Sequence, residues 1–360
     1  MFVSDFSFDL PESQIAQAPA PRGLARLLVV RRSTQSWEVA TTGQLARFLD
    51  RGDLVANDTR VFPARLLGRR DPSGGAVECL LLSPEPDGTW QALVHPGQKL
   101  KPGARIVLED EARAPGVRVR AEVLGRQYFG RRLLRVEVEG AEGAASLDAA
   151  VDAIGHVPLP PYIHRPDTAA DRDQYQTVFA RARGSVAAPT AGLHFDAATL
   201  SSLSAAGIGW ATITLHVGYG TFQPIRVDRV EEHEMEPERY EVPGETAAAL
   251  SDATAAAIHD TRAAGRRVVA VGTTTVRALE TAAARDGRVR AGSGETSLFI
   301  HPGHRFAAVD ALVTNFHLPC SSLLMLVAAF AGTDLTLAAY RHAVRTGFRF
   351  YSYGDAMLIV

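Results

Sequence analysis

Between about residues 63 and 151 the chain is a succession of short β-like runs, AVECLLL, TWQALV, ARIVLED, VRVRAEVLG and RRLLRVEVEG, separated by Gly, Pro and Asp-Gly turns. Strands this short with turn residues between them suit a small barrel or sandwich. The texture on either side is different. ARLLVVRR reads as a strand, TTGQLARFLDRG as a threonine-capped helix closed by Gly52, and beyond 151 helices and strands alternate. The β-rich stretch therefore interrupts a larger unit. We expect an α/β (α+β) chain in which residues 1–62 and 152–360 build a discontinuous, larger mixed α/β domain. Residues 63–151 then form an inserted small β-barrel domain. With 360 residues, 46% of them hydrophobic, there is material for two cores.

In the larger part, HVPLPPYIHRP at 156–166 reads as a rigid connector. GETAAALSDATAAAIHDTRAAG reads as a helix ending near Gly265, RRVVAVG at 266–272 as a buried strand, and TTTVRALETAAAR as the next helix. The longest apolar run, LLMLVAAFAG at 323–332, falls short of the roughly 20 residues a membrane span needs and is expected to be a buried helix. The N-terminal MFVSDFSFDL has no basic and apolar leader pattern, and Cys79 and Cys320 stand alone, so a cytoplasmic, reducing location is expected. A net charge of −2 excludes a general polyanion binder and leaves nucleic acid to a local patch. Residues 63–151 hold 13 Lys+Arg against 12 Asp+Glu, with Arg126, Arg131, Arg132 and Arg135 grouped around Tyr128 and Phe129. A solvated strand edge is the plainer reading of that group.

Several short polar motifs carry more information. WATITLH at 210–216 alternates, with Ala211, Ile213 and Leu215 on one face and Thr212, Thr214 and His216 on the other. That fits a strand lining a cavity and equally a half-exposed edge strand. The VGYGTF that follows lets backbone approach a ligand closely. In VGTTTVRALE a strand ends at Gly272 and a helix opens on Thr273, Thr274 and Thr275, which suits either an anion or simple capping. VAAPTAGLHF holds Thr190 and His194 in a Pro-Gly turn, TNFHLPCSS holds Asn315 and His317, and NDTRV packs Asn57, Asp58 and Arg60 behind a strand. There is no G-x-S-x-G, no P-loop, no dinucleotide fingerprint and no H-E-x-x-H, and the histidines of HPGH at 301–304 lack further ligands at metal spacing. No metal is expected.

Taken in order, NDTRVFPARL, LPPYI, YQTVFA, GSVAAPTAGLHF, TLHVGYGTFQPI, VGTTTVRALE, TNFHLP and RFYSYGDAMLI resemble the S-adenosylmethionine:tRNA ribosyltransferase-isomerase family of queuosine biosynthesis, from near residue 5 to the end. The resemblance implies that S-adenosylmethionine, as co-substrate, gives its ribosyl moiety to 7-aminomethyl-7-deazaguanine (preQ1) at the wobble position of tRNA with a GUN anticodon. Epoxyqueuosine forms while adenine and methionine leave. It also implies a larger α/β domain interrupted by a barrel; a monomer that makes no membrane contact is expected. His194 and His216 are candidates for proton transfer, and Asp58 and Glu238 for stabilising cationic groups. Tyr162, Phe195, Tyr219 and Tyr353 are candidates for facing the sulfonium or stacking on bases. Thr273, Thr274 and Thr275 would seat the methionine carboxylate. Asn57, Arg60, Thr190, Arg277, Asn315 and His317 complete the expected substrate contacts. Two positions depart from the family pattern. Where the family reads H-x-M-H-x-E, this chain has His233, Met235, Glu236 and Glu238, and Leu24 and Ala25 replace an Asp-Ser pair before Arg26. The rival readings are an RNA-binding protein that keeps the fold without turnover, and a paralogue with another acceptor.

Overall fold

The computed structural model describes residues 1–49, 52–139, 146–250, 267–283 and 288–360. Gly52–Asn57, Arg267–Val271 and Ala311–Asn315 are nearly continuous buried segments, the pattern of strands covered on both faces. Among the described residues they belong to a nine-stranded sheet. Its spatial order is Gly292–Thr296, Glu238–Val242, Gly209–Leu215, Gly52–Asn57, Arg267–Val271, Ala311–Asn315, Ala356–Ile359, Arg26–Arg31 and Ser36–Thr41. Four neighbours at its centre, from Gly209–Leu215 to Ala311–Asn315, run parallel, with Leu54 opposite both Trp210 and Val269.

Alternate residues of these strands feed two cores. Val55, Val268 and Ala270 join Val276, Leu279, Leu324 and Ala339 from the helices Thr273–Ala282, Ser322–Ala331 and Thr333–Arg345. Leu54, Val269 and Val271 meet Leu45, Phe195 and Leu203 on the other face. The apolar run at 323–332 is the buried helix Ser322–Ala331, and no single helix among the described residues is long and apolar enough to cross a membrane.

Six strands, Arg65–Asp71, Ala76–Pro84, Trp90–His95, Arg105–Glu109, Arg118–Arg126 and Arg131–Glu139, pair antiparallel into a closed barrel. Leu66, Cys79, Leu81, Ile106, Val119 and Leu134 fill it, and Ala150, Val151 and Ile154 of the helix Leu147–Ile154 pack into the same cluster. Burial pushes the Cys79 thiol up to about 12, so it stays a neutral core group. Both cysteines are free.

The structure corrects several local expectations. The segment after Thr41 is a 3₁₀ turn, Thr42–Phe48, and Gly52 opens the next strand instead of closing a helix. The strand Arg65–Asp71 carries no apolar alternation strong enough to announce it, since only Leu66 is deeply buried, Leu67, Arg69 and Asp71 are exposed, and Gly68 and Arg70 follow Leu66 on its face. The arginine group of the barrel does not form one patch. Arg132 is buried and donates to the carbonyls of Leu100 and Gly97 at 3.0 and 2.7 Å, whereas Tyr128 is 88% exposed. Of the alanine-rich segment 244–265, residues 244–250 are helical and the remainder lies outside the described residues.

Gly52 shows why a small residue starts the central strand. A Cβ there would lie 2.4 Å from the carbonyl oxygen of Arg267 on the neighbouring strand. Gly52→Ala should destabilise the protein by about 2 kcal/mol, the ordinary cost of overpacking a rigid contact. Gly244→Ala, with nothing within 4 Å of the new methyl, should be near neutral. Urea unfolding of both variants beside the unaltered protein checks this.

Candidate active site

The polar motifs converge because each lies at the C-terminal end of one of the four central parallel strands. Asn57 and Asp58 end one, Leu215 and His216 the second, Gly272 and Thr273 the third, Asn315 and His317 the fourth. The strand Gly52–Asn57 has Gly209–Leu215 on one side and Arg267–Val271 on the other, so the chain order changes direction there. In open α/β sheets such a switch point opens a crevice at the strand ends.

A cleft of about 530 Å³ occupies that edge. The sheet side contributes His216, Gly218, Tyr219, Thr273 and Thr274, and the barrel contributes Leu82, Ser83, Gln91 and Arg131. A smaller pocket of about 50 Å³ shares Val217, Thr221, Thr273, Thr274 and Leu323 with the cleft and runs inward to Thr190, Asn315, His317 and Ser352. Aromatic rings follow the same line. Tyr219 to Phe222, Phe222 to Tyr162 and Tyr162 to Tyr351 have centroids 5.9, 6.1 and 3.8 Å apart.

His216 stands on the cleft wall with its ring held from behind. Its Nδ1 lies 2.9 Å from Thr59 Oγ1, which lies 2.9 Å from Ser185 Oγ, and Ser185 Oγ accepts from Val217 N at 2.7 Å. Gly184 leaves room for the ring, since a Cβ there would come within 2.7 Å of it. Burial lowers the His216 pKa below its ordinary value while the Asp58 carboxylate pulls the other way.

Other expected residues build the walls without facing the cleft with free groups. Asn57, 1% exposed, spends its amide on Leu215 N, Leu215 O, Thr59 N and Thr274 Oγ1 at 2.9–3.3 Å. Asp58 accepts from Thr214 Oγ1 at 2.6 Å and pairs with Arg181 at 2.9 Å, so its charge is committed inside the protein. The carboxylate of Glu238 takes the Gly218 N–H at 2.8 Å and pairs with the buried guanidinium of Arg277, whose Nε donates to Leu298 O at 2.9 Å. Thr275 is turned back onto Val271 O at 2.7 Å. Tyr162 joins Ser352 through its hydroxyl at 2.6 Å, and His317 meets Thr314 Oγ1 at 2.9 Å. Burial takes His317 down to about 3, so it is neutral.

Four expected residues are elsewhere. His194 lies beneath the sheet edge, beside Leu27, Leu45 and Phe195, where burial lowers it to about 4. Its contact toward the site runs through Asn315 Nδ2 at 3.2 Å. Phe195 packs against Phe179 and Trp210, Tyr353 is buried against Tyr175 and donates to Asp171 Oδ1 at 3.0 Å, and Arg60 is exposed on a short side sheet. Sequence reasoning missed Thr59, Ser185 and the barrel's Gln91, and it grouped Arg131 with the barrel arginines without placing it at the cleft. The first two sit inside the quoted motifs NDTRV and GSVAAPTAGLHF, whereas nothing near Arg131 signals that a strand of the barrel reaches the cleft. Among the described residues no cluster of three His, Cys, Asp or Glu is arranged to hold a metal ion.

The Glu238–Arg277 pair is a buried ion pair whose partners cannot be separated cheaply. Glu238→Ala should lower stability by about 3–5 kcal/mol by stranding the guanidinium, and the double variant with Arg277→Leu should recover part of that loss. Denaturant midpoints of the two single variants and the double variant measure the coupling.

Comparison with known proteins agrees with this arrangement over the full chain. A family model described as "Queuosine biosynthesis protein" matches residues 3–359. The S-adenosylmethionine:tRNA ribosyltransferase-isomerases of Solibacter usitatus and Symbiobacterium thermophilum are 50% and 49% identical to this chain, with 100% of each chain covered. The crystal structure of S-adenosylmethionine tRNA ribosyltransferase from Thermotoga maritima is 37% identical, covers 99% of this chain and 100% of its own, and superposes with a TM-score of 0.53. With its strand-end motifs gathered on one cleft and its length matched throughout, the chain belongs to the queuosine biosynthesis family of S-adenosylmethionine:tRNA ribosyltransferase-isomerases.

Proposed function

We propose that this protein transfers and isomerises the ribosyl moiety of S-adenosylmethionine onto preQ1 at the wobble position of tRNA, giving epoxyqueuosine and releasing adenine and methionine. The observation that carries the reading is the assembly of the four strand-end motifs around one cleft, on the same edge as an orphan helix N-terminus and a row of aromatic rings. The cleft is lined by protein on the sheet and barrel sides, so a tRNA base must leave its stack to enter.

The reaction needs a proton removed beside the sulfonium, a proton given to the departing adenine, and the primary amine held near the ribosyl carbon. His216 is the titratable group on the cleft wall with a buttressed ring, and it carries the proton-transfer role; His194 does not reach the cleft. The sulfonium lies along the rings of Tyr219, Phe222 and Tyr162, where cation–π contacts are worth roughly 0.5–2 kcal/mol each. Glu232 and Glu234 line the cleft without an ion pair among the described residues and supply negative charge toward the same cation. Thr273 and Thr274 receive the methionine carboxylate at the helix start.

The same reading divides the chain into a larger α/β domain, 1–62 and 152–360, and an inserted barrel domain, 63–151. The barrel's own apolar cluster supports that division. The enzyme acts as a cytoplasmic monomer on tRNA with a GUN anticodon and requires no metal.

The test is adenine release from S-adenosylmethionine. The purified protein should release adenine with tRNA carrying preQ1 and not with unmodified tRNA; equal release with both, or none, overturns the assignment. His216→Ala should lower turnover about 10²–10⁴-fold, the usual contribution of a positioned acid or base. Because burial lowers the His216 pKa, the neutral imidazole is the ready proton acceptor at pH 7. Activity should fall as pH drops through a value below the ordinary 6.5, and a kcat/KM profile between pH 5 and 8 should lose that limb in the variant.

A further inference from the structure

The inner pocket presents two complementary unsatisfied ends. On one side the helix Thr273–Ala282 begins without a side-chain cap, after Gly272 at φ 91°. Gly272, Thr273 and Thr274, the residues of that helix start, line the pocket. Thr274 Oγ1 already accepts from Asn57 Nδ2 at 3.3 Å, so its own hydrogen remains available to donate. This end favours an anion.

On the other side is Asn315, 2% exposed and part of the same lining. Its Nδ2 donates to Tyr351 O at 3.0 Å and meets His194 Nε2 at 3.2 Å, while its Oδ1 is buried with no hydrogen-bond partner. A buried carbonyl oxygen left without a partner is costly and calls for a donor. His194 is neutral, so its Nε2 can accept the amide hydrogen. The Tyr351 carbonyl prevents the amide from turning over, because it can only accept, and His194 Nε2 takes the second amide hydrogen in the Nδ1–H tautomer. An anion-seeking end and an acceptor end share one pocket of about 50 Å³, several times the roughly 10–15 Å³ one water needs.

We propose that this pocket is an α-amino-acid subsite: it binds the methionine end of S-adenosylmethionine, carboxylate on the Thr273–Thr274 helix start and ammonium on Asn315 Oδ1, with His194 as the positioning residue of that amide. The inference rests on the ribosyl-donor reading above and extends it to how the donor's amino and carboxylate groups are told apart. The sulfonium and ribose then extend outward past Val217 and Thr221 into the main cleft.

The test measures equilibrium binding in the presence of unmodified tRNA, so it does not depend on turnover. Radiolabelled S-adenosylmethionine is displaced by S-adenosylhomocysteine, by its decarboxylated form and by its deaminated form. The unaltered protein should bind each truncated form about ten-fold or more weakly than S-adenosylhomocysteine, the loss of one charge-assisted contact. Asn315→Ala should abolish discrimination against the deaminated form and keep discrimination against the decarboxylated one. Thr274→Val should reduce the preference for the carboxylate and keep the preference for the amine. His194→Ala should reproduce the Asn315→Ala pattern in weaker form, which a merely structural histidine would not do. Equal binding of all three competitors by the unaltered protein overturns the proposal without need of any variant. So do discrimination ratios in Asn315→Ala and Thr274→Val that stay within two-fold of the unaltered protein. Failure of the catalytic reading shows instead as adenine release that ignores preQ1, so the two failures are distinguishable.

Discussion

The side-chain amide of Asn57 is the contact on which the rest of the site depends. Where parallel strands separate to open a crevice, the ladder stops and backbone groups at the strand ends lose their partners, a cost of about 1–3 kcal/mol each if they stay buried and unmet. Asn57 takes over the ladder at that point. Its oxygen receives Leu215 N and Thr59 N, and its nitrogen gives to Leu215 O and Thr274 Oγ1. The end of one strand, the start of another and the first turn of a helix are thereby tied to one side chain. Leu215 is followed by His216, Thr59 backs His216, and Thr274 opens the helix, so the spacing of the catalytic wall and the inner pocket is set from a single buried residue. An aspartate would lack the two donors and an alanine would leave three backbone groups unmet.

A second constraint shapes what a ligand encounters. The charges nearest the strand ends are consumed in architecture: Glu238 by Arg277 and Gly218 N, Asp58 by Arg181 and Thr214, Glu236 by Arg131. What remains at the strand ends themselves is neutral and oriented, namely an imidazole, an amide oxygen, hydroxyls and a helix start, while the carboxylates of Glu232 and Glu234 stand farther out on the cleft lining. Dipoles fixed in advance need no reorganisation when a charged group arrives, which is where a water-excluding site gains over solvent. The ion pairs keep those dipoles in place, and Asp58 and Glu238, candidates by residue type, have their carboxylates engaged by Thr214, Arg181, Gly218 and Arg277.

The local texture of the sequence carried much of the fold. Five barrel strands, the central buried strands and the helix after Gly272 follow from period and turn residues, because their burial is strong and one-sided or complete. Arg65–Asp71 was hidden because a barrel strand with one deeply buried residue, Leu66, and an exposed leucine, Leu67, beside it has little alternation to read. At the site, the motifs were legible as motifs, yet a motif does not say which side of a sheet a side chain takes. His194 and His216 are both histidines at the end of polar runs. Only the placement of the 190–194 turn below the sheet edge and of 216 at a strand terminus separates them. Tyr353 and Phe195 were misread for the same reason, since an aromatic residue in a motif is as often packing as contact. Thr59 and Ser185 were invisible as partners of His216 because they are distant in sequence and meet through the side pairing of Thr59–Val61 with Ala182–Ser185.

Glu236 shows how a departure from the family pattern can be absorbed. At the place of a family histidine this chain has a carboxylate, and the carboxylate is fully engaged: one oxygen takes the Arg131 guanidinium from the barrel, the other is 3.4 Å from Gln223 Nε2. Arg131 is itself fixed by Gln91 Oε1 at 2.9 Å on the neighbouring barrel strand. Gly220 allows the approach, since a Cβ there would stand 2.9 Å from Glu236 Oε2. The position thus clasps the barrel to the glycine-rich turn that forms the lip of the cleft. With one oxygen on the Arg131 guanidinium and the other toward Gln223, the position serves as a joint between barrel and turn. A histidine there would join the same turn to the barrel through a neutral hydrogen bond, whereas glutamate does so through charge, and the arginine opposite is what makes the exchange tolerable. His216, the cleft-wall imidazole, is held from other strands through Thr59 and Ser185, so its position does not depend on the clasp.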